Sequence, residues 1–220
     1  MIIFAAGMRR AGSTVIFNIA RELVEDTKTG RALTLQEHKI DEIKKHVHSS
    51  QLVVVKAHAF PAAGVENESK FKILMSVRDI REVCGSVMRL MNLSFDAVVN
   101  KHLLDGYIGE QQTWNAFPVK YFRRYEDWVG NLRKETLSIT SYLELDASRE
   151  MCNKIADRWS FEETQKRLKT VAGTHFTTLL GPKHITANCT HLRNNLMTNE
   201  QLDFLTEKYR WWLEEYGYES

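Results

Sequence analysis

Residues 2–14 of the 220-residue chain read IIFAAGMRRAGST, and this stretch determines the expected fold class. Its first five residues, Ile2 to Ala6, are apolar and typical of a buried strand. Gly7 and Gly12 then bound a short loop, and an amphipathic helix follows with apolar residues at spacings of three and four. Strand, glycine-bounded loop and helix form a phosphate cradle, in which backbone N–H groups and the helix N-terminus face an anion.

The loop departs from the nucleotide-triphosphate motif G-x-x-x-x-G-K-[ST] at one position, because Ser13 stands where the lysine belongs. Without that lysine the loop is poorly suited to β- and γ-phosphates with Mg²⁺, although Arg10 can present a cation to the same anion. A simpler interpretation is a tight turn in which Ser13 or Thr14 caps the helix. The flanking strand and helix favour the anion-binding interpretation.

Composition excludes several broad functional classes. The chain carries 30 Lys plus Arg and 28 Asp plus Glu, a formal charge of +2, so we expect neither a nucleic-acid nor a membrane partner. No apolar run approaches the roughly 18 residues that span a bilayer, and a signal-peptide pattern is absent, so a cytoplasmic location is expected. The spacing of the cysteines predicts reduced thiols and no metal site. These cysteines are Cys84, Cys152 and Cys189.

Further short apolar runs predict three more strands, at residues 52–56, 73–77 and 119–122. Helical periodicity alternates with them and then covers roughly residues 95–116, 131–144, 149–169 and 199–215. This order predicts an α/β fold with a central, mostly parallel sheet flanked by helices, and a helical C-terminal half. Because no linker divides the chain, residues 1–220 are expected to form a single domain. Ligands of such sheets bind beyond the carboxyl ends of the strands.

Two candidate reactive residues stand at the end of the second predicted strand. Lys56 and His58 are alternate residues, so they project from the same face of the chain. A histidine with a pKa near 6.5 suits removal of a proton from a hydroxyl group. Taken alone, this pattern favours a hydrogen-bonded histidine beside a surface lysine. Its position in the chain supports the chemical interpretation.

Four motifs, in order along the chain, resemble those of the P-loop sulfotransferases, which use 3′-phosphoadenosine 5′-phosphosulfate (PAPS) as donor. Arg10–Thr14 resembles the family's 5′-phosphosulfate loop, and Lys56–His58 resembles its Lys-Thr-His. Arg78–Ser86 is similar to Arg-Asp-Pro-x-Asp-x-x-x-Ser and keeps the interval between arginine and serine. Tyr125–Asp127 resembles the family's Tyr-Glu-Asp. The resemblance implies a P-loop type of α/β fold.

The resemblance also implies a role for each matched residue. His58 is expected to be the base, while Lys56 and Arg10 stabilise charge on the sulfuryl group and on the leaving phosphate oxygen. Arg78 and Ser86 are expected to bind the donor's 3′-phosphate, and Tyr125 to lie near its adenine. The expected catalytic residues are His58, Lys56 and Arg10. The expected donor-binding residues are Arg9, Arg10, Ala11, Gly12, Ser13, Thr14, Arg78, Ser86, Tyr125, Lys183 and His184.

The predicted reaction is in-line transfer of a sulfuryl group from PAPS to a hydroxyl or amine of a small-molecule or glycan acceptor, without a metal ion. Five aromatic residues either line an apolar acceptor pocket or pack within helix cores. They are Phe60, Phe95, Tyr107, Trp114 and Phe117. Two alternatives stay open at this point, a P-loop small-molecule kinase and a non-catalytic nucleotide-binding module. The sequence does not predict the oligomeric state.

Overall fold

The computed structural model describes residues 1–32, 52–60, 71–117, 120–170 and 196–218. Five strands lie in these ranges, β1 (Ile2–Gly7), β2 (Gly30–Ala32), β3 (Leu52–Lys56), β4 (Phe71–Val77) and β5 (Tyr121–Arg124). They form one sheet in the order β2-β3-β1-β4-β5, and every neighbouring pair is parallel. The predicted central parallel sheet is therefore confirmed.

Helices cover both faces of this sheet and most of the described residues of the C-terminal half, as predicted. The first four are α1 (Ser13–Asp26), α2 (Ile80–Met91), α3 (Phe95–Asn100) and α4 (Leu103–Gln112). The next four are α5 (Tyr125–Trp128), α6 (Leu132–Leu143), α7 (Arg149–Arg158) and α8 (Phe161–Thr170). The last two described are α9 (Asn199–Lys208) and α10 (Arg210–Glu215).

Alternate residues of β1 are buried in two different cores, one on each face of the sheet. Ile3 and Ala5 pack in the core that includes α1, α6 and α7. Ile2, Phe4 and Ala6 pack in the core that includes α2, α3, α4, α9 and α10. Burial on both faces explains why β1 is an unbroken apolar run rather than an alternating one.

The strand order places the candidate residues at one edge of the sheet. β1 is the central strand, and β3 and β4 flank it in parallel register. The connection after β1 leads to β2 on one side, and the connection after β4 leads to β5 on the other, so a crevice opens at their carboxyl ends. Gly7, Lys56 and Val77 end these three strands, which brings the segments that follow them together.

Some element boundaries differ from those expected. The helical pattern over residues 95–116 is interrupted at His102, which has a left-handed φ of 52°. The pattern over 149–169 is interrupted after Trp159, because the hydroxyl and carbonyl of Ser160 accept hydrogen bonds that begin a new helix. The pattern over 199–215 is interrupted at Tyr209. Periodicity continues through each break, so the sequence alone predicts single helices.

Strand boundaries also differ from those expected. β4 begins two residues earlier, at Phe71 instead of residue 73. β5 begins two residues later than expected, at Tyr121, and Val119 lies outside the described residues. β2 was not predicted, since its three residues, Gly30–Ala32, are too few to produce an apolar run.

Two further expectations concern thiols and the membrane. Cys84 and Cys152 are buried and free, which agrees with the prediction of reduced thiols, and Cys189 lies outside the described residues. None of the helices in the described ranges combines the length and apolarity needed to cross a bilayer.

Candidate active site

The loop between β1 and α1 requires both of its glycines. Gly7 has a φ of 119°, and a Cβ atom there would lie 2.3 Å from the carbonyl oxygen of Ser76 on β4. Gly12 has a φ of 78°, and a Cβ atom there would lie 2.6 Å from the ring of Trp128. A side chain at either position would therefore be strained and would collide with its neighbour. The close approach of the loop to β4 and α5 fixes the start of α1.

Lys56 supplies the ammonium group that the loop sequence lacks. Its Nζ atom donates a buried hydrogen bond of 2.6 Å to Oγ of Ser13, the residue in the motif's lysine position. Helix α1 has Gly12 at its N-cap and no side-chain hydrogen bond capping it. Ser13 thus contacts Lys56 instead of capping the helix, which favours the anion-binding interpretation over the simple turn.

The imidazole of His58 has a fixed orientation and a defined tautomer. Its Nδ1 atom lies 3.1 Å from the carbonyl oxygen of Gly7, which can only accept a hydrogen bond. The proton therefore sits on Nδ1, and Nε2 carries the lone pair, 3.4 Å from Nζ of Lys56. The indole N–H of Trp114 donates to the carbonyl oxygen of His58 at 2.8 Å and holds its backbone.

Burial makes His58 a neutral base at ordinary pH. Burial, followed by the positive charge of Lys56, lowers the pKa of His58 to about 2. The charges of Arg9 and Arg10 act in the same direction, while the hydrogen bond to Gly7 opposes them. This differs from the expected value near 6.5, which assumed a solvated ring. Nε2 is therefore unprotonated, but a ring with so low a pKa is a weak base, and a bound anion that offsets the neighbouring positive charges would strengthen it.

A second group of residues surrounds Arg10, which has a left-handed φ of 68°. Its Nε atom donates to Oγ of Ser86 at 2.9 Å, and its carbonyl oxygen accepts from Nη1 of Arg78 at 3.2 Å. The Arg78 guanidinium lies 4.5 Å from the centre of the Tyr125 ring. Burial, then the charges of Arg89 and Arg78, lowers the pKa of Arg10 to about 10. Three guanidinium groups are therefore close enough to repel one another, which suits an anion site.

Carboxylates hold Arg78 in place. Its Nη2 atom lies 3.3 Å from Oε2 of Glu82, and its Nε atom lies 3.9 Å from Oε1 of Glu126. Asp79 caps α2 by accepting a hydrogen bond of 2.9 Å from the backbone N–H of Arg81. The motif Arg78–Ser86 therefore has a structural role, since Asp79 caps α2. The same motif also brings Arg78 and Ser86 together.

Arg9 turns toward α4. Its guanidinium makes two hydrogen bonds to the carboxylate of Glu110, at 2.7 and 2.8 Å, and lies 5.7 Å from the centre of the Tyr107 ring. This forked pair fixes the orientation of the guanidinium. The nearness of Arg9 to His58 is evident from its effect on the pKa of that ring.

The structure describes some of the remaining expected site residues, and others lie outside the described ranges. Ala11 is buried in the loop, Ser13 is the buried first residue of α1, and Thr14 lies in the first turn of that helix. Lys183 and His184 lie outside the described residues. Of the five aromatic candidates only Phe60 is partly exposed, since the others are no more than 9% exposed and belong to the core beside α4. Core packing thus accounts for Phe95, Tyr107, Trp114 and Phe117.

Arg89 was missed from the sequence, and Trp114 was predicted only as a pocket or core residue, without its contact with His58. Arg89 follows Ser86 by three residues on α2, so helical spacing was a usable signal. Trp114 contacts His58 across 56 residues of sequence, which no local pattern predicts. As for metals, the described ranges contain no cluster of three or more His, Cys, Asp or Glu side chains able to hold an ion.

A parallel sheet with a glycine-bounded loop at the end of its central strand, and buried cations around that loop, defines a P-loop-type protein with an anion site. The family model described as a sulfotransferase domain matches residues 3–217. The chain therefore belongs to the sulfotransferase domain family. No curated protein sequence is significantly similar to it.

Solved structures with similar folds include that of mouse sulfotransferase SULT7A1 complexed with PAP, the desulfated donor. Its TM-score is 0.68 at 18% identity, over 98% of this chain and 87% of that one. The structure of retinol dehydratase with androsterone and inactive cofactor PAP has a TM-score of 0.61 at 15% identity, over 98% of this chain and 80% of that one. The structure of retinol dehydratase with retinol and PAP has a TM-score of 0.63 at 13% identity, over 100% of this chain and 83% of that one. The P-loop type of fold predicted from the sequence is confirmed.

Family membership establishes the activity class. The chain is a PAPS-dependent sulfotransferase, with PAPS as the sulfuryl donor and PAP as the product. The kinase and the non-catalytic module are not favoured.

Proposed function

We propose that the chain transfers the sulfuryl group of PAPS in line to a hydroxyl or amine of its acceptor, with His58 as the base. The observation that carries this proposal is the contact of Lys56 with both the phosphate loop and His58. Nζ of Lys56 lies 2.6 Å from Oγ of Ser13 and 3.4 Å from Nε2 of His58. Donor loop and base therefore share one cation.

The donor side follows from the two groups of residues around the loop. Arg9, Arg10, Ala11, Gly12, Ser13 and Thr14 form the segment proposed to hold the 5′-phosphosulfate, through backbone N–H groups and the N-terminus of α1. Arg78 and Ser86 bind the 3′-phosphate, since a forked cation and a hydroxyl donor suit that group. Tyr125 lies beside the adenine, and Lys183 and His184 are further candidates for the 3′-phosphate. The cations and the uncapped helix start fit the charge of this donor.

The donor supplies a sulfuryl group attached to a phosphate that becomes the leaving group. His58 accepts the acceptor's proton at Nε2, because its Nδ1 proton is committed to Gly7. Lys56 and Arg10 stabilise the negative charge that grows on the sulfuryl and leaving phosphate oxygens. Both cations are held in place before the reaction by Ser13 and Ser86, so little reorganisation is needed.

The acceptor is a small molecule in this proposal, and a glycan is the alternative within it. Support for a small molecule comes from the structural neighbours described with androsterone and retinol. Phe60, a partly exposed residue two positions after His58 whose ring packs against Trp114, is proposed to offer an apolar contact near the base. The proposal also includes a single domain over residues 1–220 and a cytoplasmic location, with which two buried free thiols are compatible.

Replacement of His58 by glutamine tests the base. His58→Gln keeps a hydrogen-bonding side chain but cannot accept the proton, so kcat should fall by about 10² to 10⁴-fold while the Kd for PAP changes by no more than about three-fold. His102→Gln is the matched control, because this histidine is exposed at the start of α4, and wild-type activity is expected. Sulfation is measured with a panel of alcohols and amines. Retained turnover, or parallel loss of PAP binding and turnover, would contradict the assignment.

A further inference from the structure

We propose that Arg89 is a second cation of the 3′-phosphate site, beside Arg78, and contributes to the preference for a 3′-phosphorylated donor. This proposal rests on the proposed function, since it takes the assignment of Arg78 and Ser86 to that phosphate from it. Arg89 is outside the four motifs, so its role does not follow from the resemblance to the family.

Arg89 lies on α2 close to Ser86. Ser86 and Arg89 are three residues apart in the same helix, so their side chains lie on adjacent positions of one face. Ser86 is 1% exposed, and its hydroxyl oxygen accepts the hydrogen bond from Arg10. The face of α2 that presents Ser86 to Arg10 therefore also carries Arg89, about one turn further along the helix.

Arg89 also affects Arg10 electrostatically. Among the charged groups that act on Arg10, Arg89 has the largest effect, ahead of Arg78, and both lower the pKa of Arg10. Placing three like charges together in a partly buried site is unfavourable, and a bound anion relieves that cost. Two carboxylates, Glu82 and Glu126, lie beside Arg78. Arg78, which these carboxylates contact, has a smaller effect on the pKa of Arg10 than Arg89 has.

The charge and oxygen atoms of a 3′-phosphate call for several donor groups. A phosphate monoester carries nearly two negative charges at neutral pH and three acceptor oxygens, more than one guanidinium can satisfy. Arg78, Arg89 and the hydroxyl of Ser86 together provide a donor set for such a group. A 5′-nucleotide without the 3′-phosphate would not engage these cations, so the cluster discriminates between the two ligands.

The experiment compares PAP with adenosine 5′-phosphate by calorimetric titration. Arg89→Gln should raise the Kd for PAP by about 10- to 100-fold, the value of one charge-assisted contact, and change the Kd for adenosine 5′-phosphate by less than about three-fold. Arg89→Met, which keeps an apolar stem for packing, should do the same and carries the test if the glutamine variant does not fold. Arg149→Gln removes the same charge from an exposed position on α7 and should leave both Kd values unchanged.

The outcomes separate this inference from the function on which it rests. Equal weakening of both nucleotides, or no weakening of either, would overturn the role of Arg89 while leaving donor binding intact. Failure of the wild-type protein to prefer PAP over adenosine 5′-phosphate would instead contradict the proposed 3′-phosphate site. Selective loss of the PAP preference in both Arg89 variants is the result that we expect.

Discussion

At the scale of single residues, Lys56 and His58 are the clearest case of a site that sequence spacing predicts in part. Alternation along a strand correctly placed both side chains at the carboxyl end of β3, in contact with each other. The tautomer and the pKa of His58 depend on Gly7 and on burial, which come from the neighbouring strand. No local pattern in the sequence contains that information.

The low pKa of His58 predicts a specific acid sensitivity of the fold. In the unfolded chain the ring titrates near 6.5, and in the folded protein near 2, so the unfolded state binds one more proton between these values. The free energy of unfolding should therefore fall by up to about 1.4 kcal/mol per pH unit as the pH drops below 6.5. Between pH 7.5 and 5.0 the wild type should lose at most about 2 kcal/mol more than His58→Gln, measured by urea unfolding. Identical losses in both proteins would contradict the neutral buried ring.

At the scale of elements, the glycine-bounded loop and the helix after it were predictable, whereas helix interruptions were not. The sequence indicates where the loop lies because Gly7 and Gly12 punctuate an apolar strand and a periodic helix. The breaks at His102 and Ser160 fall within continuous periodicity. They depend on a left-handed residue and on a side-chain cap, which periodicity does not report.

Gly12→Ala tests the packing of the loop against α5. The added Cβ atom would lie 2.6 Å from the Trp128 ring and 2.7 Å from the Tyr125 ring, at a φ of 78°. We expect a loss of at least about 2 kcal/mol in the free energy of unfolding, together with weaker PAP binding. Gly106→Ala is the control, because a Cβ atom at this position on α4 would meet no described atom within 4 Å. Gly106→Ala should raise the free energy of unfolding by about 0.5–1 kcal/mol. Equal free energies of unfolding for the two variants would contradict the packing of the loop against α5.

At the scale of the whole molecule, the sequence predicts the parallel sheet and a helical C-terminal half, but not which face each helix covers. Residues of α9 and α10 join the core that contains Phe4 and Val83, far away in sequence. The apolar spacing of these two helices indicates that one face of each is buried. It does not indicate which part of the chain that face packs against. Contacts such as that of Arg81 with Thr206, at 3.2 Å, then link α9 to the start of α2, near the anion site.

The two adjacent tryptophans of α10 test this packing. Trp212 is fully buried in the core beside β1, whereas Trp211 is 45% exposed. Trp212→Ala should therefore lower the free energy of unfolding by about 3–5 kcal/mol through the lost contacts and the cavity left behind. Trp211→Ala should cost no more than about 1 kcal/mol. Thermal and urea unfolding measure both, and similar costs for the two variants would show that α10 does not pack in this way.

The central claim is that the loop after β1 holds a sulfotransferase donor rather than a nucleoside triphosphate. Calorimetric titration with PAP, beside ATP with Mg²⁺, tests it most directly. We predict tight, metal-independent binding of PAP that Arg78→Ala weakens by at least about ten-fold, because a buried charge-assisted contact to phosphate is lost. Preference for ATP with Mg²⁺, or PAP binding that is indifferent to Arg78→Ala, would contradict the account.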